Sequence, residues 1–124
     1  ACVFTMNEVA QVGFTEEQLK EKGIEYKSSK FMFSANGKAL SLGESEGIVK
    51  ILAGKDDNKI LGVHILGPHA NDLIHEGTLA IANKLDASAI TRTIHAHPTL
   101  SEAVHEAALG LDNLAIHIAP KRRR

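Results

Sequence analysis

The sequence predicts an α+β domain in which helices flank an antiparallel sheet. Segments rich in β-branched and aromatic residues are concentrated in the first half of the chain, whereas the clearest helical pattern lies near the end. Strands and helices do not alternate regularly, which argues against a doubly wound parallel sheet. The 124 residues, 44% of them hydrophobic, fit one core. We expect one domain over residues 1–118 and a basic tail at 119–124.

The centre of the predicted sheet is a hairpin. Residues 48–52 and 60–66 are β-rich runs, and the Gly, Asp and Asn residues at 54–58 between them have the chemistry of a turn. These two strands are therefore predicted to pair antiparallel. Upstream, Asn36-Gly37 is a strong turn signal that opens a glycine-spaced stretch ending at Gly47, and we predict a loop there.

Two shorter helices are predicted from their capping residues. Thr15 and Gln18 have the spacing of a capping box, in which each side chain accepts from the other residue's backbone N–H, and Gly23 supplies a stop. Asn71 is a candidate N-cap for a second helix that ends near Asp86. Its apolar positions share one face, so it is predicted to cover the sheet.

The last helix has the strongest pattern in the chain. Thr99 and Glu102 again have capping-box spacing. Apolar residues recur at the helical spacing i, i+3, i+4, i+7, i+8, i+11, at Leu100, Ala103, Val104, Ala107, Ala108 and Leu111. We expect an amphipathic helix with this stripe against the core.

Charge and cysteine content exclude several function classes. The 14 basic and 15 acidic residues nearly cancel, so no nucleic-acid or membrane partner is implied, and the run Lys121–Arg124 is interpreted as a solvated tail. The single cysteine, Cys2, cannot form a disulfide within the chain. No signal peptide or membrane span is recognisable, which favours a bacterial cytoplasm or a mitochondrial matrix. A start on strand-like residues without methionine suggests a piece of a longer protein.

Nucleotide-binding and hydrolase motifs are missing from the sequence. No two glycines are spaced i, i+2, so the Gly-x-Gly-x-x-Gly turn that approaches a dinucleotide pyrophosphate is absent. There is also no phosphate loop and no Gly-x-Ser-x-Gly elbow. A self-contained nucleotide enzyme or serine hydrolase is not expected.

The seven histidines offer little for a metal site. His75 and His105 each begin a His-Glu-x-x-His motif, but leucine replaces the second histidine in both. His95 and His97 offer two imidazoles without a third ligand at a diagnostic spacing, so we assign no metal. His64, His69 and His117 receive no function.

His97 stands out because it precedes Pro98. This neighbour biases the histidine to an extended conformation just before the last helix. A carboxylate one turn into that helix, Glu102, favours the imidazolium, whereas the helix N-terminus disfavours it. Two interpretations stay open at this point: a His–Glu acid/base pair, or a glutamate that only satisfies a backbone donor in the capping box.

The string from Thr93 to Ala103, TIHAHPTLSEA, closely resembles the C-terminal active-site signature of dihydrolipoamide dehydrogenases. Its His-Pro-Thr core is shared by the wider family of disulfide reductases, including glutathione and mercuric reductases. Nearly the whole chain follows the family order. Supporting segments are Val3-Phe4-Thr5, Asn36-Gly37-Lys38-Ala39 and Leu61-Gly62-Val63-His64-Ile65-Leu66-Gly67-Pro68.

The resemblance implies the interface domain of an FAD- and NAD-linked disulfide reductase that is a homodimer. It implies that His97 is the acid/base that takes a proton from a dihydrolipoamide thiol, that Glu102 orients and charge-stabilises its imidazole, and that both act on the flavin and disulfide of the other subunit. His95 and Ala96 are implied to touch that flavin. The His97–Pro98 bond is typically cis in the family.

The partners implied are the FAD and NAD domains of the parent enzyme and the lipoyl domain of a 2-oxoacid dehydrogenase complex. The isolated chain is expected to bind no cofactor and to be inactive. The alternative hypothesis is a free-standing dimerisation or adaptor module that keeps the His–Glu motif for structural reasons only.

Overall fold

A computed structural model describes residues 1–118, and the predicted basic tail at 119–124 lies outside the described residues. Five strands, five α-helices and one short 3₁₀ helix, Phe33–Ala35, are present in this part of the chain. The strands are β1 Cys2–Val3, β2 Glu8–Gly13, β3 Tyr26–Met32, β4 Ile48–Gly54 and β5 Ile60–Gly67. The helices are α1 Glu16–Glu21, α2 Gly37–Leu42, α3 Ala70–Ala82, α4 Ala87–Thr91 and α5 Glu102–Gly110.

The strands form one sheet in the order β1-β2-β5-β4-β3, and every neighbouring pair is antiparallel. The predicted hairpin is confirmed as β4 and β5, which pair over most of their length with a register shift between Leu52 and Ala53. Because β2 joins the far side of β5, the hairpin lies at the centre of the sheet. The predicted α+β class is therefore confirmed.

The two faces of the sheet differ in character, as the period-two alternation of strand side chains requires. One row of directly paired residues is fully buried and runs across four strands: Ala10, Ile65, Val49 and Phe31. The next row along the strands points to the opposite face and is polar: Gln11, His64, Lys50 and Lys30. The main hydrophobic cluster lies on the first face, whereas the opposite face buries Leu52 outside that cluster.

Helices α3 and α5 cover the core face, α3 over β2 and β5 and α5 over β3 and β4. Helix α3 lies very close to the sheet at Gly77, where an added Cβ would be 2.8 Å from Val63 Cγ2. Glycine costs about 1 kcal/mol relative to alanine inside a helix. The close approach to Val63 gives a packing reason for the glycine at this position.

Two predictions upstream of α3 require correction. The stretch after Asn36 was expected to be a loop, but it contains α2, because the Asn36 side chain accepts from the Ala39 N–H and caps a helix that ends at Leu42. Asn71 is not an N-cap. Helix α3 begins after His69, and Asn71 is buried in its first turn, where its N–H donates to Glu8.

The helix ends also differ in part from the expectation. Helix α3 ends at Ala82 rather than near Asp86, and Asp86 instead caps α4 by accepting from the Ser88 N–H. The capping box of α1, by contrast, is present with both predicted hydrogen bonds, between Thr15 and Gln18. The capping pattern therefore predicted the hydrogen bonds at the start of α1 correctly. It failed for α3, where Asn71 bonds to Glu8 of β2 instead of capping the helix.

Candidate functional site

The segment between α4 and α5 carries the residues on which the predicted chemistry depends. It places His97 at the mouth of a cleft of about 530 Å³. The cleft is also lined by Glu102, His105 and Glu106 of α5 and by His117 beyond it. Ionisable side chains are thus concentrated around one end of α5.

The predicted His97–Glu102 pair is formed. The Nδ1 atom of His97 lies 2.9 Å from Glu102 Oε1 and 3.2 Å from Oε2, so both carboxylate oxygens face the same ring nitrogen. The imidazole is 78% exposed, whereas the carboxylate is 27% exposed. The peptide bond between His97 and Pro98 is cis, as the resemblance implied.

Glu102 also satisfies a backbone donor, in addition to its contact with the His97 ring. Its Oε2 accepts from the Thr99 N–H at 2.9 Å. The other half of the predicted capping box is absent, because the Thr99 hydroxyl donates to the Ala96 carbonyl and α5 begins after Ser101. The backbone bond to Thr99 holds the carboxylate in place toward His97.

The electrostatics of the site keep Glu102 ionised. Partial burial acts to raise the pKa of Glu102, but the Thr99 N–H and the His97 ring oppose it and lower that pKa below the usual glutamate value. His117 adds a smaller lowering effect on the same pKa. An ionised Glu102 accepts the Nδ1–H of His97, which leaves Nε2 with its lone pair. The exposed Nε2 can then accept a proton from a ligand.

His95 and Ala96, the residues expected to touch a flavin, differ in their exposure. Ala96 is exposed in the segment, next to His97. The His95 ring points inward, with Nε2 2.8 Å from Glu76 Oε1 and Nδ1 2.9 Å from the Thr93 carbonyl oxygen. The sequence predicted no partner for His95, because Glu76 lies 19 residues away on α3.

A third His–Glu pair, between His117 and Glu106, also escaped the sequence analysis. The Nδ1 atom of His117 lies 3.1 Å from Oε1 of Glu106, and Oε2 of this carboxylate accepts the backbone N–H groups of Ile116 and His117 at 3.0 and 3.1 Å. The carboxyl group of Glu106 is buried. The available signal was its position three residues after Ala103, at the border of the apolar stripe.

Metal and membrane features were searched over residues 1–118. No group of three or more His, Cys, Asp or Glu side chains within this range is arranged to hold a metal ion. None of the helices in the same part of the chain has the length and apolar content that crossing a bilayer requires.

Comparison with known proteins gives consistent relatives. Residues 1–108 match the model of the pyridine nucleotide-disulphide oxidoreductase dimerisation domain. The chain is 51% identical over 116 residues to dihydrolipoyl dehydrogenase, mitochondrial, from Pisum sativum, and 52% identical over 118 residues to dihydrolipoyl dehydrogenase from Bacillus subtilis. Each match covers 94% of this chain but only 23% and 24% of those proteins. The chain thus spans about a quarter of the length of these relatives.

Solved structures agree with this assignment. LpdA from Mycobacterium tuberculosis matches with a TM-score of 0.84 and 26% identity, over 90% of this chain and 24% of that protein. The HOCl-induced flavoprotein disulfide reductase RclA from Escherichia coli has the same fold, with a TM-score of 0.83 over 87% of this chain and 25% of that protein, at 23% identity. The chain belongs to the family of pyridine nucleotide-disulphide oxidoreductase dimerisation domains.

Proposed function

We propose that this chain is the dimerisation domain of an NAD-dependent dihydrolipoyl dehydrogenase, and that it supplies the His97–Glu102 pair to the active site of the other subunit. The observation that carries the proposal is the contact between His97 Nδ1 and both oxygens of an ionised Glu102, at the end of an exposed segment. The relatives that share about half of the residues bear the corresponding name.

In this mechanism His97 holds and moves one proton. A dihydrolipoamide thiol at the mouth of the cleft gives its proton to Nε2, and the resulting thiolate attacks the redox disulfide of the other subunit. The attacked disulfide bond breaks, a mixed disulfide forms, and one sulfur of the other subunit leaves as a thiolate. The second substrate thiol, after losing its own proton, displaces the remaining sulfur from the mixed disulfide, which gives lipoamide and the reduced dithiol. Glu102 fixes the ring through Nδ1 and stabilises the imidazolium that forms, because a charge-assisted hydrogen bond is stronger than a neutral one. The proton then leaves from Nε2 to solvent, which the 78% exposure of the ring permits.

FAD and NAD belong to the proposed parent enzyme, and bound FAD would supply the electron transfer between disulfide and nicotinamide. The present sequence contains no dinucleotide fingerprint, so this chain would only border the flavin. Its residues fit that limited role, because Ala96 is exposed beside His97 and leaves the backbone open to a flat ring. We therefore keep His95 and Ala96 as the proposed flavin-facing positions, through their backbone.

A homodimer is the proposed assembly, with residues 1–118 as the unit that forms it. Apolar side chains lie exposed around the cleft, among them Ile94, which is 96% exposed, and Ile116. Exposed apolar clusters of this kind favour coverage by another protein surface. The second subunit would cover this region and bring its flavin and disulfide to His97.

The further partners are proposed from the relatives. A lipoyl domain of a 2-oxoacid dehydrogenase complex would deliver the dithiol as substrate. The mitochondrial and bacterial relatives support a mitochondrial matrix or a bacterial cytoplasm as the compartment.

Complementation between two inactive full-length variants tests the proposal. One variant carries His97→Gln, and the other lacks the redox disulfide but keeps this domain unchanged. Mixed dimers formed by unfolding and refolding together should regain dihydrolipoamide oxidation, because one active site then receives an intact histidine and an intact disulfide. A free-standing scaffold role predicts that His97→Gln alone is fully active, and a histidine acting within its own subunit predicts no recovery in the mixture.

A further inference from the structure

His95 lies two residues before His97 and is held differently from every other histidine in the described part of the chain. Both of its ring nitrogens have partners within 3 Å, the Glu76 carboxylate at Nε2 and the Thr93 carbonyl at Nδ1. Its side chain is only 6% exposed. The ring is therefore part of the internal hydrogen-bond network of the segment rather than of its surface.

Both partners of His95 are acceptors. A backbone carbonyl has no proton to donate, so Nδ1 must carry the hydrogen in the contact with Thr93. The Glu76 carboxylate, partly exposed on α3, accepts as well, so Nε2 also carries a hydrogen in its contact with Oε1. An imidazole with a hydrogen on both nitrogens is an imidazolium cation.

The surroundings of His95 suit a cation. The His105 ring of α5 stacks on it with centroids 4.6 Å apart, and His105 uses Nε2 for the Thr91 carbonyl at 3.0 Å. Glu76 supplies the opposing charge from α3. A neighbouring cleft is lined by His95 and Glu76, and the other titratable group in its lining is His75, beside Glu76 on the same helix. His95 thereby connects the segment to two helices that both pack on the sheet.

We propose that His95 is a charged positioning residue, whose ion pair with Glu76 and stacking on His105 hold the segment that presents His97. The positioning role rests on the proposed function of His97, whereas the charge on His95 does not. Without the contacts of His95 to Glu76 and His105, the segment would be mobile, and the bond between His97 and Glu102 would form in only a fraction of molecules. Proton transfer would slow, while substrate binding to the exposed cleft would change little.

The charge is tested on the 124-residue chain by nitrogen NMR of ¹⁵N-labelled histidine at neutral pH, with His95→Asn to assign the signals. Both His95 nitrogens should resonate in the protonated range. In Glu76→Gln the neutral amide no longer requires a cation, and one nitrogen should move to the unprotonated range. Glu17→Gln, which changes an exposed glutamate on α1, is the matched control. An unprotonated Nε2 in the native chain would mean that the proton resides on Glu76 and would overturn the proposal.

Kinetics of the full-length flavoenzyme test the positioning role. Glu76→Gln should lower kcat for dihydrolipoamide roughly tenfold, with little change in KM and a displaced pH profile, as expected for a weakened charge-assisted bond. Equal kcat and pH profiles for Glu76→Gln and Glu17→Gln would refute it. The proposed function fails by a different result, an unchanged kcat in His97→Gln.

Discussion

Helix α5 carries two glutamates, one turn apart, and each contacts a histidine outside the helix. The two pairs have the same residue types but differ in the hydrogen bonds that each carboxylate makes. Glu102 directs both oxygens to the ring of His97 and accepts one backbone N–H. Glu106 uses one oxygen for the ring of His117 and the other for two backbone N–H groups. The first carboxylate mainly orients a ring, and the second mainly anchors a chain segment.

Burial explains this difference. The Glu106 side chain is 5% exposed, and a buried carboxylate is tolerated only when its oxygens are satisfied by hydrogen bonds. Residues Ile116 and His117 supply those bonds and are thereby tied to α5. Glu102 lies at the exposed start of the helix, where water can reach its histidine. Of the two contacts, His97–Glu102 is therefore the candidate acid/base pair, because its carboxylate mainly binds the histidine ring. In the His117–Glu106 contact the carboxylate mainly binds backbone N–H groups.

The largest effect should separate the two histidines. In the full-length flavoenzyme, His97→Gln should lower dihydrolipoamide turnover by about 10²- to 10⁴-fold, the usual contribution of a positioned general base. His117→Gln is the matched control, because this ring is similarly exposed, and its turnover should stay near the native value. Steady-state assays of both variants give the answer. A similar loss in both would erase the distinction between the pairs.

The next effect concerns the two glutamates. Glu102→Gln removes the charge that stabilises the imidazolium and should lower kcat about 10- to 100-fold, since hydrogen bonds to charged groups contribute about 1.5–3 kcal/mol. Glu106→Gln keeps an oxygen acceptor for the backbone and should retain most of the turnover. The comparison requires kcat measured at saturating substrate. Loss of turnover in Glu106→Gln with native turnover in Glu102→Gln would reverse the assignment.

Stability should show the opposite order. Glu106→Ala leaves the N–H groups of Ile116 and His117 without their acceptor and should lower the free energy of unfolding by about 1–3 kcal/mol. Denaturant titration of this chain measures that change, and hydrogen exchange should show faster exchange at these two amides. Glu44→Ala, in an exposed loop, should stay within about 0.5 kcal/mol of the native chain. Unchanged exchange at both amides would contradict the anchoring role.

The smallest effect is on acid stability. The folded-state pKa of Glu102 is lowered, so its contribution to stability is present above the unfolded-state pKa, about 4.3, and is lost as the pH falls through the lower folded-state value. The free energy of unfolding should therefore fall on acidification below about pH 4.3, and less steeply in Glu102→Gln than in the native chain. Denaturant titrations at a series of pH values test this. Identical slopes in both proteins would contradict it.

Much of the sheet was predictable because strand signals are local. Turn residues at 54–58 between two β-rich runs predicted the β4–β5 hairpin, and the paired registers confirm it. The α2 segment was missed because Asn36-Gly37 is both a turn signal and an N-cap followed by the first helical residue. Whether a turn or a helix forms there depended on whether Leu40 and its neighbours continue a helix. The glycine spacing of the stretch hid that possibility.

The site was predictable to a similar extent. His97 and Glu102 are only five residues apart, on either side of a corner before a helix, so the local sequence already predicts that they lie near each other. Glu76 on α3 reaches His95, and Glu106 on α5 reaches His117, only through the tertiary packing of segments far apart in the chain. No spacing in the sequence links those residues.

The sequence by itself determined the strand pattern, the amphipathic last helix and the His97–Glu102 pair, because each depends on periodicity or capping over a few residues. The tertiary structure decided which histidine is enclosed, which carboxylate is buried and which helix supports the segment before α5. The physical reason is that periodicity reports which side of an element is apolar, but not which other element covers that side. Hydrogen-bond partners far apart in the chain are set by that packing.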